Sequence, residues 1–235
     1  MRANILIVQT GTAALELVRD HGDYPAWFQQ SLGEKYTVIR AHEGEKMPSG
    51  TPQGIIVTGS PLSVTEKAPW MLELGDALLR AGERGAQVLG VCFGQQLLAK
   101  AAGGDVILNP RGREIGTVSV QLTEAGRRDP LFSWAQGGEI EVQATHVDAV
   151  DPLPPDATLL ASNENCAAQA YRLSPTVAGV QFHPEVPPAA LRDLILSRAD
   201  KIRSEGRDPK QLADQVRDTQ SHRLLEAFVR LASRA

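Results

Sequence analysis

Apolar residues follow two rhythms along the chain. Short, near-continuous runs of β-branched and aliphatic residues recur at 5–8, 36–39, 54–58 and 87–91. Between them lie stretches with apolar residues three and four positions apart. One spans 24–32, with Trp27 and Phe28 on its apolar side. A second spans 68–82 and carries Met71, Leu72, Leu74, Leu78 and Leu79, and a third spans 95–102. Continuous apolar strands joined by helices predict a parallel sheet covered on both faces.

Past the third helical stretch the rhythm changes. Segments 116–122, 139–145, 158–162, 167–172 and 177–182 read as strands with few helix signals between them. That arrangement predicts antiparallel strands added to the parallel core. From Pro188 onward the chain reads as helical and charged, with Leu224, Leu225, Phe228 and Leu231 in one apolar stripe. No linker, repeat or low-complexity tract interrupts it. The expected fold is α/β: a mainly parallel central sheet with helices on both faces, added antiparallel strands and a helical C-terminal extension. The expected organisation is one unit over residues 1–190, with residues 191–235 packed on it.

Composition narrows the function classes. The 235 residues hold 24 Lys and Arg against 28 Asp and Glu, for a formal charge of −4 and a pI near 5.8. Without a basic excess to neutralise phosphates, nucleic-acid binding is disfavoured. No run approaches the ~20 apolar residues of a membrane helix. The four-residue run at 5–8 is too short for a signal peptide. Two cysteines, Cys92 and Cys166, cannot build a disulfide framework, which points to a reducing, cytoplasmic setting. His21, His42 and His222 have no ligand spacing, so neither metal nor cofactor is expected.

The stretch richest in chemistry is Gly90-Val91-Cys92-Phe93-Gly94-Gln95-Gln96. It follows a strand and opens a helix, the setting of a nucleophile elbow with cysteine in place of serine. Such a turn strains the backbone at the nucleophile and needs small neighbours, here Gly90 and Gly94. It places Cys92 near a helix N-terminus, whose partial positive charge favours thiolate. The Phe93 amide then points where an oxyanion would form. Alone, the pattern fits a buried structural cysteine equally well. A base would decide, and His183 in Gly179-Val180-Gln181-Phe182-His183-Pro184-Glu185 is the candidate. Glu185, two residues on in an extended segment, falls on the same side and can hold the imidazole tautomer. Pro184 fixes the backbone between them.

These pieces resemble, in order, the motifs of the class I, triad-type glutamine amidotransferases. The likeness is strongest to the stand-alone branch similar to the glutaminase domain of GMP synthase. It spans about residues 4–190. Thr58-Gly59-Ser60-Pro61 sits at the family's oxyanion loop, with Ser60 where a second glycine is common; a positive φ there would strain serine. Asn109-Pro110-Arg111-Gly112 and Thr145-His146-Val147-Asp148 match further segments. The resemblance implies a flavodoxin-like amidotransferase fold and a Cys92–His183–Glu185 triad. Cys92 would attack the γ-carboxamide of glutamine, and a thioester would release glutamate and ammonia. The amides of Gly59 and Phe93 would hold the oxyanion. Ser60, Gln96, Thr145, His146 and Val147 would line the glutamine pocket.

Two versions of this enzyme follow. In one, ammonia passes to a separate synthetase subunit. In the other, the chain alone hydrolyses γ-glutamyl peptides or amides. A non-catalytic binding module on the same fold is a third reading. The extension could dock a partner, cap the pocket or make a homodimer. His146 and Asp148 read as supports of a pocket-bordering loop, and Cys166 as a packed thiol. Arg111 and Arg113 read as solvated loop residues, and Lys201, Arg203, Arg207 and Lys210 as a solvated face.

Overall fold

The computed structural model describes residues 3–34 and 36–234; Met1, Arg2, Lys35 and Ala235 lie outside it, and with them the outermost ends of the two expected units. The chain runs β1 (Ile5–Gln9), α1 (Leu15–His21), α2 (Tyr24–Leu32), β2 (Thr37–Arg40), β3 (Gly54–Val57), α3 (Pro69–Glu83), β4 (Gln87–Val91) and α4 (Phe93–Ala101). It continues through β5 (Val106–Leu108), β6 (Glu114–Leu122), α5 (Glu124–Arg128), β7 (Glu139–His146), β8 (Asp148–Val150), β9 (Thr158–Ser162), β10 (Ala170–Ser174) and β11 (Val177–Val180). It ends in α6 (Pro188–Ser197), α7 (Ala199–Ser204), α8 (Pro209–Gln215) and α9 (Arg223–Ala232).

Among the described residues the strands form a nine-stranded sheet, β2-β1-β3-β4-β11-β10-β9-β6-β7, and a small β5-β8 pair. β2, β1, β3, β4 and β11 are mutually parallel, and the strands beyond β11 are antiparallel. This is the expected α/β fold with antiparallel strands added to a parallel core, with one correction: segment 177–182, expected among the added antiparallel strands, pairs parallel with β4 as β11 and belongs to the core, because the chain reverses direction between β10 and β11 and so re-enters the sheet aligned with β4.

Side chains alternate across the pleat. Ile5, Ile7, Ile56 and Leu89 meet Phe28 of α2 and Leu224, Leu225 and Phe228 of α9 on one face. Leu6, Val8, Ile55, Val57 and Val88 meet Met71, Leu74 and Leu78 of α3 and Leu97 and Leu98 of α4 on the other. The C-terminal stripe therefore covers the central sheet. A third apolar cluster joins Leu17 of α1, Trp27 of α2, Leu191 and Ile195 of α6, Ile202 of α7 and Ala213 of α8.

Two differences from the pattern have local causes. Helix α4 begins at Phe93 rather than 95, because the chain turns from strand into helix at one residue, Cys92. Helix α1 was not expected: it has seven residues and buries only Leu17, too little for a periodic signal. Asp23 stitches it to its neighbours. Its carboxylate caps α2 through the Tyr24 amide and also accepts from the Ala13 amide and Gln9 Nε2.

Candidate active site

Parallel strands leave their carboxyl ends on one edge, where loops can gather functional groups. Cys92 follows β4, Gly59 follows β3 and His183 follows β11 there. Cys92 sits at φ 51°, ψ −104°, a positive-φ backbone conformation rare for any L-residue. The neighbours permit it: a Cβ on Gly90 would lie 2.5 Å from the Gly94 carbonyl carbon, and one on Gly94 would lie 2.6 Å from the Val57 oxygen. The Cys92 amide donates to the Val180 carbonyl at 2.8 Å, tying the elbow to the strand that leads to His183.

His183 has left the sheet but is fixed by its own amide, which donates to Gln143 O of β7 at 2.8 Å. Its Nδ1 meets Glu185 Oε1 at 2.7 Å, and both side chains are buried. Neither Glu185 Oε2 nor His183 Nε2 finds a hydrogen-bond partner among the described residues. The carboxylate therefore spends its charge on the imidazole, and the other ring nitrogen is left for Cys92. Burial works against a charged imidazole, but Glu185 and the nearby Cys92 sulfur both favour it. The balance pushes His183 up to about 10. Cys166 is buried in the core, and burial pushes its thiol up to about 12, so it stays protonated and unreactive.

Across from this pair, Thr10 Oγ1 donates to Thr58 O at 3.0 Å. In a trans peptide, pinning that carbonyl aims the Gly59 N–H the opposite way. Neither the Gly59 nor the Phe93 amide finds an acceptor among the described residues. Gly59 approaches closely: an added Cβ would lie 2.8 Å from His183 Cε1 and 3.7 Å from Cys92 Cβ. Gly59→Ala is therefore expected to lower kcat on a γ-glutamyl substrate about 10²- to 10³-fold, the scale of a lost oxyanion donor. A variant within threefold of the parent would contradict this placement. Ser60 is unstrained, since the non-glycine residues with positive φ among those described are Lys67 and Cys92. Its hydroxyl donates to Thr10 O at 2.9 Å and accepts from the Leu62 amide at 3.1 Å, bracing the loop.

Beside Cys92 a cavity of about 260 Å³ is lined by Ser60, Phe93, Gln96, Thr145, His146 and Val147, together with Asp148 and Arg113. All of the expected pocket residues thus come together. Gln96 Nε2 donates to Asp148 O at 3.1 Å and to Gln181 Oε1 at 3.0 Å. His146 has both ring nitrogens committed, to Asp148 O at 2.9 Å and Glu114 Oε2 at 2.8 Å. It borders the pocket without a free nitrogen for chemistry. Burial would raise the Glu114 carboxyl, but hydrogen bonds from His146, Asn163 and Gln169 hold it below the usual carboxylate range. Glu114→Ala should cost about 3–5 kcal/mol, because it leaves a buried imidazole and two amides unmatched. Urea unfolding measures this, and a loss under about 1 kcal/mol would refute it.

Arg113 corrects the loop reading. Its side chain is buried, and Nε donates to both Glu205 oxygens at 3.0 and 3.1 Å. Arg207 is likewise engaged, donating to the Arg113 carbonyl at 2.9 Å. A charged loop residue gives no sign in sequence of a partner 92 positions away. Sequence reasoning also missed Arg198, Tyr24 as a site residue, and Thr10. Arg198 reaches the site from the α6–α7 junction and donates from Nη1 to Thr145 Oγ1 at 2.8 Å. Among the described residues no group of three or more His, Cys, Asp or Glu could hold a metal ion. No helix among them is long and apolar enough to cross a membrane.

Known proteins resemble this chain in sequence and in fold. The family model for class-I glutamine amidotransferases matches residues 29–199. A glutamine amidotransferase-like protein of Schizosaccharomyces pombe is 33% identical over 205 residues, covering 79% of this chain and 80% of that one. Gamma-glutamyl peptidase 4 of Arabidopsis thaliana is 25% identical over 209 residues, covering 86% and 81%. The glutamine-hydrolysing GMP synthase of Caldicellulosiruptor saccharolyticus is 36% identical over 143 residues, covering 60% of this chain but 26% of the synthase. In fold, the crystal structure of a glutamine amidotransferase from Thermotoga maritima superposes with a TM-score of 0.75 at 20% identity, covering 99% of this chain and 97% of that one. The chain belongs to the class-I glutamine amidotransferase family.

Proposed function

We propose that the chain is a cysteine hydrolase of γ-glutamyl carboxamides, with glutamine as the simplest substrate. The observation that carries this is the buried His183–Glu185 pair whose free Nε2 faces a cysteine on a strained strand-to-helix turn. Cys92 attacks the γ-carbonyl carbon. The oxyanion sits on the amides of Gly59 and Phe93. His183, held by Glu185, gives its proton to the departing nitrogen and then takes one from water as the thioester is hydrolysed to glutamate. Gln96, Thr145, His146, Val147 and Ser60 shape the acyl pocket. In this reading residues 1–190 form the amidotransferase-type unit, 191–235 an extension packed on it, and the setting is cytoplasmic.

The fate of the nitrogen separates two versions. The likeness to GMP synthases supports delivery of ammonia to a separate synthetase subunit. The likeness to gamma-glutamyl peptidases, which extends over most of both chains, supports a self-sufficient hydrolase. A second cavity on the His183 side of Cys92 favours the latter. Release of ammonia and glutamate from L-glutamine, with Cys92→Ala as control, tests the reading. Steady turnover lost in the variant supports it. Turnover absent from the parent, with Cys92 still labelled by a glutamine-like electrophile, directs the search to larger γ-glutamyl amides or a partner. Absence of both turnover and labelling overturns it.

A further inference from the structure

Two cavities meet at Cys92. The first, about 260 Å³, holds the side chains assigned above to the glutamyl group. The second, about 410 Å³, also reaches Cys92 and is lined by His183 together with Leu17, Tyr24, Trp27, Val186 and Leu194, none of which lines the first. The acid that protonates the leaving nitrogen must stand beside it. His183 lines the second cavity and not the first, so the leaving group departs there. Ammonia is about the size of a water molecule, which takes about 30 Å³. A cleft more than ten times larger, with an apolar wall of Leu17, Trp27, Val186 and Leu194 and with Glu16 and Arg198 as its charged side chains, suits a bulky amine with an apolar body.

The walls have the rigidity of a subsite. Trp27 is buried, its indole N–H donates to His21 O at 2.8 Å, and its ring meets Tyr24 edge-on with centroids 5.2 Å apart. Its polar atom is therefore spent within the protein, and the buried ring backs Tyr24, the more exposed aromatic of the two, against the cleft.

Arg198 stands where the cavities join, since it lines both, as do Cys92 and Thr145. The guanidinium is half-buried, and its hydrogen bond goes to a neutral hydroxyl, Thr145 Oγ1. No carboxylate pairs with it among the described residues. Arg113, by contrast, has Glu205. Burial lowers the proton affinity of Arg198; the Tyr24 hydroxyl and the Cys92 sulfur work against this, Arg113 adds to it, and the balance stays below the usual arginine range. The cation has no carboxylate partner among the described residues and is placed for an anion brought by a ligand. Bond counting says which anion. In a γ-glutamyl amino acid, the leaving amine carries its carboxylate two bonds from the scissile nitrogen, at the junction of the cavities. The α-carboxylate of the glutamyl group lies four bonds from the scissile carbon, deeper in the first cavity. Arg113 and Lys201 line that cavity and not the second.

We propose that the chain cleaves γ-glutamyl dipeptides whose second residue is large and apolar, with the free carboxylate held by Arg198 and the side chain in the Tyr24–Trp27 cleft. The inference rests on the γ-glutamyl hydrolase reading above. The step balances as a hydrolysis. Cys92 Sγ bonds to the γ-carbonyl carbon, the C–N bond breaks, and the amine takes a proton from His183. Water then cleaves the thioester, releasing glutamate and regenerating the thiol and imidazole.

The test compares kcat/KM of the purified full chain on γ-L-glutamyl-L-phenylalanine, γ-L-glutamyl-phenethylamide and L-glutamine, using release of the amine or ammonia. The phenethylamide keeps the ring and lacks the carboxylate. The dipeptide should exceed glutamine by about tenfold or more. In Arg198→Ala, the ratio of dipeptide to phenethylamide should fall about 10- to 100-fold, the scale of a charged hydrogen-bonded contact. Arg198→Lys should recover part of that ratio, and circular dichroism checks that both variants fold. Glutamine equal to or better than the dipeptide would overturn the leaving-group cleft. Equal losses on dipeptide and phenethylamide would overturn the carboxylate anchor. Failure of all three substrates together with failure of Cys92 labelling would instead remove the hydrolase reading, and this inference with it.

Discussion

Cys92→Ala is expected to lower turnover of any γ-glutamyl substrate by about 10⁴-fold or more, since removing a nucleophile leaves only binding and oxyanion contacts. A stability measurement distinguishes this elbow from an ordinary buried cysteine. At φ 51° any residue with a Cβ is strained, by about 1–3 kcal/mol. Cys92→Gly should therefore be as inactive as Cys92→Ala yet more stable than it by about 1 kcal/mol, because glycine alone tolerates that backbone. In a helix or strand interior the order would reverse. Thermal or urea unfolding of the two variants gives the answer. An alanine variant at least as stable as the glycine one would mean that the elbow carries no strain.

Glu185→Gln is expected to cost about 10²- to 10⁴-fold in kcat, because an amide neither fixes the imidazole tautomer nor stabilises its charge. The pH profile carries a sharper signature. Burial disfavours the imidazolium of His183, while Glu185 and the Cys92 sulfur together overcome that and push it up to about 10. In the proposed mechanism the protonated ring supplies the leaving nitrogen with its proton. The alkaline limb of kcat/KM should therefore lie far above the ordinary histidine value of about 6.5. Removing the carboxylate lets burial act against Cys92 alone, so in Glu185→Gln that limb should move to lower pH. Rates measured between pH 5 and 10.5 test both statements. An unmoved alkaline limb in the variant would show that Glu185 does not set the charge of His183.

Much of this site was legible because its parts are local in sequence. An elbow needs a strand, two small residues and a helix start within seven positions, and Gly90 to Gln96 show all of these. The His183–Glu185 contact at 2.7 Å needs two residues of extended chain around a proline. The continuous apolar runs gave the parallel strands, because burial on both faces removes alternation. The stripe at Leu224, Leu225 and Phe228 predicted a helix, and the structure adds what it covers: the face of the sheet lined by Ile5, Ile7 and Ile56.

Other features depended on residues far apart in the chain. Arg113 reads as an exposed loop cation until Glu205 comes up against it. Thr10 is an unremarkable strand-end threonine until β3 lies beside β1 and its hydroxyl pins the Thr58 carbonyl. Arg198 closes a charged helix, and its place between two cavities exists only once α6 packs beside α1 and β7. The α/β fold, the elbow and the His183–Glu185 contact could be read from the chain alone, since each is written in steric and hydrogen-bonding rules that act over a few residues. Which cation lacks a carboxylate, which amides find no acceptor and which cavity His183 lines came only with packing. Those are properties of packing, and packing is settled by contacts whose sequence separation leaves no periodic trace.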